Sequence, residues 1–281
     1  MKRAASRQAG RPALELIEAA VHLLRTAPIG ALLSYYIGSV PCVLGLLYFL
    51  ADMSSGAFAR ERLIEASLSA AAFYLWMKCW HAVFASKLRS HLLLETETPW
   101  TPARVARLAL TQMAVQPSGL FVRAIAAQIL LPYVWVYSFY QNVGVLGDGT
   151  RGKIRDVIRE AAKQAGLWQR QAHGALLGLF GFALMVWLNV CVLLGFAPVL
   201  LKTFLGIETV FSRSPLTMIN TTTFAATLAA TYLCFDPIRK ALFVLRCFHG
   251  ASLRTGEDLS VELKSLRHGR DCIQVQKGEH K

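Results

Sequence analysis

The chain is predicted to be an all-α, polytopic integral membrane protein with about six membrane-embedded helical segments plus amphipathic interfacial helices. Three observations predict it. Apolar runs recur at 29–51, 64–86, 114–147, 172–196 and 214–235, and a helix rising ~1.5 Å per residue needs about twenty residues to cross ~30 Å of hydrocarbon. Of the 281 residues, 54% are hydrophobic and the mean hydropathy is +0.42, more apolar than expected of a water-soluble domain. The Lys and Arg residues crowd into every second connector, as they do on the inner side of membranes.

The organisation read in order is a basic tail (1–12), a helical membrane domain (13–255) and a polar cytoplasmic tail (256–281). The tail carries Lys2, Arg3, Arg7 and Arg11 without an acid. After it, Glu15, Glu18, His22 and Arg25 share one helix face, while Leu14, Ile17, Val21 and Leu24 share another. With Pro12 and Pro28 at its ends, 13–27 is predicted to lie in the membrane interface and not to be a signal peptide. The runs 29–51 and 64–86 follow as the first two spans.

The third run, 114–147, is too long for one ordinary span, and the charges decide how it runs. Lys and Arg number five in 1–28, two in 52–63, four in 87–107, six in 148–171, two in 197–213 and nine in 236–281. A single crossing would put eleven inside and seventeen outside, inverting the usual bias. An entry and return, 114–131 and 132–147, puts twenty-four inside and four outside. Both termini then lie on the inner side of a bacterial cytoplasmic membrane. Pro132 stands where the chain would reverse. The return arm would be only about 24 Å long as a helix, so a short or tilted arm and a re-entrant hairpin both remain open. The last two spans are 172–196 and 214–235.

Three inner connectors are predicted as surface helices. Thr101 and Pro102 can cap and start one over 101–112 carrying Arg104 and Arg107. In 151–168, Arg151, Arg155, Arg159 and Lys163 recur every four residues and form a stripe suited to anionic inner-leaflet lipid. Asp236 and Pro237 look like the start of a third over 237–248, with Arg239, Lys240 and Arg246. The net charge of +13 is thus assigned to membrane connectors, not to nucleic-acid binding. The six cysteines lack a CxxC pair or metal spacing and are read as reduced.

Several stretches resemble the membrane domain that accompanies some glycerophosphodiester phosphodiesterases and related multi-pass bacterial proteins. They are Leu130-Leu131-Pro132-Tyr133-Val134-Trp135, the basic helix with Ala161, Ala162 and Trp168, and the ending Pro237…Arg246…Leu253-Arg254-Thr255-Gly256-Glu257-Asp258-Leu259. The resemblance covers about 14–260 and implies a six-segment helical membrane domain. It does not imply diesterase activity, because the chain carries no soluble barrel and no metal-holding cluster of carboxylates and histidines.

The candidate intramembrane polar residues are Lys78, His81, Arg123, Gln128 and Asn189. A charge at a span centre costs roughly 2.5–3.5 kcal/mol on insertion scales. Lys78 is expected to snorkel to the inner headgroups, with a polar cavity or proton relay as the alternative. Arg123 is expected to anchor at the inner interface. Asn189 and the run Asn220, Thr221, Thr222 and Thr223 are expected to bond neighbouring helices. Gly174, Gly178 and Gly181 open a small-residue face for close helix contact, within the chain or in a homo-oligomer. No motif nominates a nucleophile, base, metal or cofactor. The first functional expectation is therefore a non-enzymatic scaffold or assembly component of a membrane complex, in contact with membrane lipids and a membrane-protein partner. The alternatives are a transporter or permease-like subunit and, more remotely, a lipid-acting enzyme.

Overall fold

The computed structural model describes residues 12–56, 59–129, 133–208, 220–264 and 266. Among them all regular structure is helical: α1 (Ala13–Thr26), α2 (Ile29–Ser55), α3 (Ala59–Leu93), α4 (Pro102–Val115), α5 (Ser118–Ile129), α6 (Tyr133–Leu146), α7 (Ile154–Gly166), α8 (Gln169–Leu205) and α9 (Thr221–Thr255). The starts follow local chemistry. Thr101 accepts from the Arg104 amide at 3.3 Å with Pro102 in the first turn of α4, and Asn220 accepts from the Thr223 amide at 2.7 Å at the start of α9. Gly206 and Gly256 close α8 and α9 in the left-handed region.

Among the described residues two helices, α2 and α8, are long and apolar enough to cross a membrane. Their environments differ. In the most apolar stretch of α2, 39% of residues are buried by the rest of the chain; in that of α8 the share is 6%, at a mean hydropathy of 2.3. Phe180, Leu193 and Phe204 of α8 are all more than 60% exposed.

Burial divides the bundle along its axes into a packed base and bare arms. At one end, α1, the C-terminal parts of α3 and α9, α6 and α7 bury Leu16, Phe84, Leu88, Val143, Ala161, Leu242 and Phe243 almost completely. At the other end, residues 44–54 of α2, the first half of α3 and most of α8 leave large apolar side chains uncovered. Cross-links set the register of the base: Lys87 donates to the Gly30 carbonyl at 3.2 Å, and Gly174 and Gly178 of α8 lie against Ala13 and Ile17 of α1. Towards the other end, Trp187 donates to Thr227 at 3.1 Å.

The segment 102–148 goes out and comes back. Arg104 donates to the Asp148 carbonyl, Gln112 to the Gly147 carbonyl and Gln116 to the Tyr140 carbonyl, at 3.1, 3.2 and 3.2 Å, so α4 and α6 run antiparallel. The reversal expected at Pro132 falls at 130–132, outside the described residues, as do the tail 1–11, Cys272 and most of 256–281. As helices, α5 and α6 are only about 18 and 21 Å long.

Three expected elements take another form. Residues 236–248 are not a separate surface helix: α9 runs unbroken from Thr221 to Thr255 through Pro237, and Asp236, Lys240 and Arg246 are buried. Polar partners from neighbouring helices let this stretch pack inside. Arg104 is also buried, stacked 3.7 Å from the Trp100 ring and bonded to the Thr98 and Asp148 carbonyls and to the Ser86 hydroxyl. Finally, α1 buries Leu16, Ala20 and Leu23 and leaves Leu14 and Val21 exposed. Flanked by α3, α8 and α9, it is part of the bundle.

A clasp ties α7 to α9. Glu160 pairs with Arg254 and accepts from Gln164 at 3.1 Å. Burial pushes the Glu160 carboxyl up, but the Arg254 and Gln164 hydrogen bonds outweigh it and hold the group below the usual carboxylate range. A depressed folded-state value stabilises fully above the ordinary carboxylate pKa and is lost as pH falls through the folded value. The protection of α7 amides, taken as exchange relative to the intrinsic rate at each pH, should therefore fall on acidification below about pH 4 in the native chain. Glu160→Gln should flatten that dependence; an unchanged profile would show that the clasp does not hold α7.

Candidate functional site

Where arms and base meet, α2, α3, α5, α6 and α9 enclose a cluster of charged and phenolic side chains. Helical spacing brings it together. Tyr35 and Ser39 lie one turn apart on α2, Lys78 and His81 share a face of α3, and Asp236, Arg239 and Lys240 occupy one turn of α9. Tyr35, Ser39 and Asp236 are fully buried, His81 is 2% exposed and Lys78 8%.

Asp236 is the acidic centre. It accepts from the Tyr35 hydroxyl at 3.0 Å and from Arg239, and lies 3.9 Å from His81 Nε2. Tyr35 also stacks flat on the His81 ring at 5.0 Å. His81 Nε2 and the Ser39 hydroxyl share a 2.8 Å hydrogen bond. Serine, histidine and aspartate are the components of a hydrolytic triad, but this geometry is a different one. A triad aspartate orients the histidine through Nδ1 while the serine uses Nε2; here both approach Nε2, and His81 Nδ1 is buried without a hydrogen-bond partner. With Ser39 sealed inside the bundle, the group is a structural link between α2, α3 and α9.

The cations outnumber the acid. Lys78 sits over the Tyr74 ring at 5.1 Å, and Arg123 donates to the Tyr74 hydroxyl at 3.3 Å and to the Gly119 carbonyl at 2.7 Å. Lys240 donates to the Gln141 side-chain oxygen at 2.8 Å. Lys78 feels the charges of Arg123, Arg239 and Lys240, so the four share one electrostatic region. Tyrosines wall it: the Arg239 guanidinium lies 5.7 Å from the Tyr137 ring and 5.8 Å from that of Tyr232, and Arg123 lies 5.6 Å from Tyr140. Each such contact contributes roughly 0.5–2 kcal/mol.

The structure thus brings Lys78, His81 and Arg123 to one region and leaves the other polar candidates outside it. Gln128 is exposed on α5. Asn189 is exposed and donates to the Met185 carbonyl of its own helix at 2.8 Å. Lys78 is 8% exposed and lies over the Tyr74 ring, inside the bundle and not at its surface. Of the glycines, Gly174 and Gly178 meet α1, while Gly181 has open space beside it. In α7, Arg155, Arg159 and Lys163 are exposed; Arg151, expected on the same helix, precedes it and is half-exposed. Val157 and Ala161 of the same helix are buried in the base. Sequence reasoning missed Tyr35, Ser39, Asp236, Tyr137 and Gln141; the one signal was Asp236, Arg239 and Lys240 directly following an apolar run.

Among the described residues no group of three or more His, Cys, Asp or Glu is placed to hold a metal ion. Cys42, Cys79, Cys191, Cys234 and Cys247 are free thiols. Compared with models of protein families, with curated proteins and with solved structures, the chain has no match.

Proposed function

We propose that the chain is a multi-pass protein of a bacterial cytoplasmic membrane that binds a polar ligand between its helices, as a transporter or permease-like subunit does. The bare apolar surface of α8 supports the membrane setting, since an exposed patch of this extent marks contact with lipid or protein. On this reading α2, α3, α8 and α9 cross the bilayer, and α5 and α6, each too short to cross, form a re-entrant hairpin. The packed base lies at the inner face with both termini.

The single observation that carries the functional part is the convergence of Lys78, Arg123, Arg239 and Lys240. Ionisable groups inside a membrane domain are costly and mark ligand or ion sites. A scaffold needs none of them. That second reading draws on the exposed basic stripe of α7, where each cation near an anionic leaflet contributes about 1 kcal/mol, with an acidic protein partner as the other occupant. The resemblance to the phosphodiesterase-associated membrane domain is a further ground for a multi-pass helical membrane domain and adds no activity.

The setting is tested by fractionation. The full chain should float with membranes, resist alkaline carbonate and be released by detergent. Release by carbonate alone would place it on a membrane surface and remove the transporter reading.

A further inference from the structure

The central cluster contains more cation than its own acid can balance. Asp236 is engaged by Tyr35 and Arg239. Among the described residues Lys78, Arg123 and Lys240 rest only on neutral groups: a phenol ring, a hydroxyl, a carbonyl and an amide. Three ammonium or guanidinium groups in one low-dielectric region repel one another, and neutral dipoles do not remove that repulsion.

An anion would remove it. Lys78 lies over the Tyr74 ring and Arg123 donates to its hydroxyl, so both cations meet at one side chain of α3, in the charge field of Arg239 and Lys240 of α9. Arg123 is the half-exposed member of the group. α5 also carries Phe121 and Ile125, 73% and 62% exposed, so the half-exposed Arg123 lies on a helix with an apolar outer surface.

We propose that Lys78, Arg123 and Lys240 form a binding site for a phosphate group. A tetrahedral oxyanion offers acceptors in several directions, and planar guanidinium and point-like ammonium groups are the two side chains suited to it. A phosphate carrying up to two negative charges matches three uncompensated cations better than a single carboxylate. The proposal deepens the reading of the chain as a ligand-binding membrane protein. The same chemistry could arrive as a free phosphate compound or as the headgroup of an anionic phospholipid entering sideways past α5.

The test uses the full-length chain purified in uncharged detergent without phosphate. Its thermal unfolding is followed while inorganic phosphate replaces chloride at constant ionic strength, and in parallel after transfer to bilayer discs of phosphatidylcholine with or without phosphatidylglycerol. Stabilisation by phosphate over chloride assigns a soluble ligand; stabilisation only by phosphatidylglycerol assigns a lipid headgroup. Either effect should weaken by about tenfold in apparent affinity in Arg123→Gln, which changes a half-exposed residue, and in Lys78→Met, while Lys78→Arg retains it. No preference for either anion, or an undiminished preference in Arg123→Gln and any Lys78→Met protein that folds, overturns the proposal. A carbonate-resistant protein with no anion preference would leave the membrane reading standing and remove the phosphate site alone.

Discussion

Asp236→Ala should destabilise the folded protein by about 3–5 kcal/mol, the range expected when one partner of a buried ion pair is removed. The carboxylate is fully buried and is bonded by Tyr35 from α2 and by Arg239 from its own helix, with His81 of α3 nearby. Its loss would leave Arg239 unbalanced among three further cations and strip the Tyr35 hydroxyl of its acceptor. Asp236→Asn should cost less because an amide oxygen can still accept from Tyr35. Tyr35→Phe should cost about 1 kcal/mol, the net worth of one hydrogen bond. Thermal unfolding in a fixed detergent ranks the three, and an Asp236→Ala protein that melts with the parent would show that the cluster is not held by this carboxylate.

Gly38→Leu is the packing counterpart. Gly38 lies in the contact between α2 and α3: a Cβ there would stand 2.4 Å from the Trp80 Cβ and 3.4 Å from the Met77 carbonyl oxygen. A Cβ cannot swing aside as the end of a side chain can, so the helices must separate. Overpacking of this kind costs about 1–3 kcal/mol and at times more. The damage reaches the site, because Ser39 and its bond to His81 follow immediately. Gly144→Ala in α6 is the control: nothing lies within 4 Å of the added methyl, and the exchange should be neutral or stabilising by up to about 1 kcal/mol. Equal melting of Gly38→Leu and the parent would contradict the observed contact between α2 and α3.

The sequence exposed some levels of this architecture and hid others. Uniform apolar runs mark α2 and α8 because their side chains have no alternative to lipid or core. The start of α4 at Thr101-Pro102 is local, so it is readable from its neighbours; Asn220, expected inside a span and bonded to another helix, caps the start of α9 instead. Burial of Asp236, Lys240 and Arg246 is not local. Their partners Tyr35, Gln141 and Ser138 are about a hundred or more residues away, and a basic helical stretch with no partner in view reads as surface. The same holds for α1, where periodicity shows two half-apolar stripes and only the positions of α8 and α9 decide between them. Lys78 and Arg123 could be singled out by the cost of charge in an apolar run, but not their shared contact with Tyr74. Gln128 and Asn189 are neutral but polar residues of the same runs and are exposed, which composition cannot distinguish.

The central claim is that the chain re-enters the bilayer between residues 118 and 146 and returns to the side bearing its basic connectors. Single cysteines at Thr150 and at Asp52, each compared with the parent chain for labelling by a membrane-impermeant maleimide in intact cells, test it most directly. The account predicts that Asp52→Cys is labelled from outside and that Thr150→Cys is labelled only after the membrane is opened. Labelling of Thr150→Cys in intact cells would mean that the segment crosses once, and would contradict both the re-entrant hairpin and the placement of the packed base at the inner face.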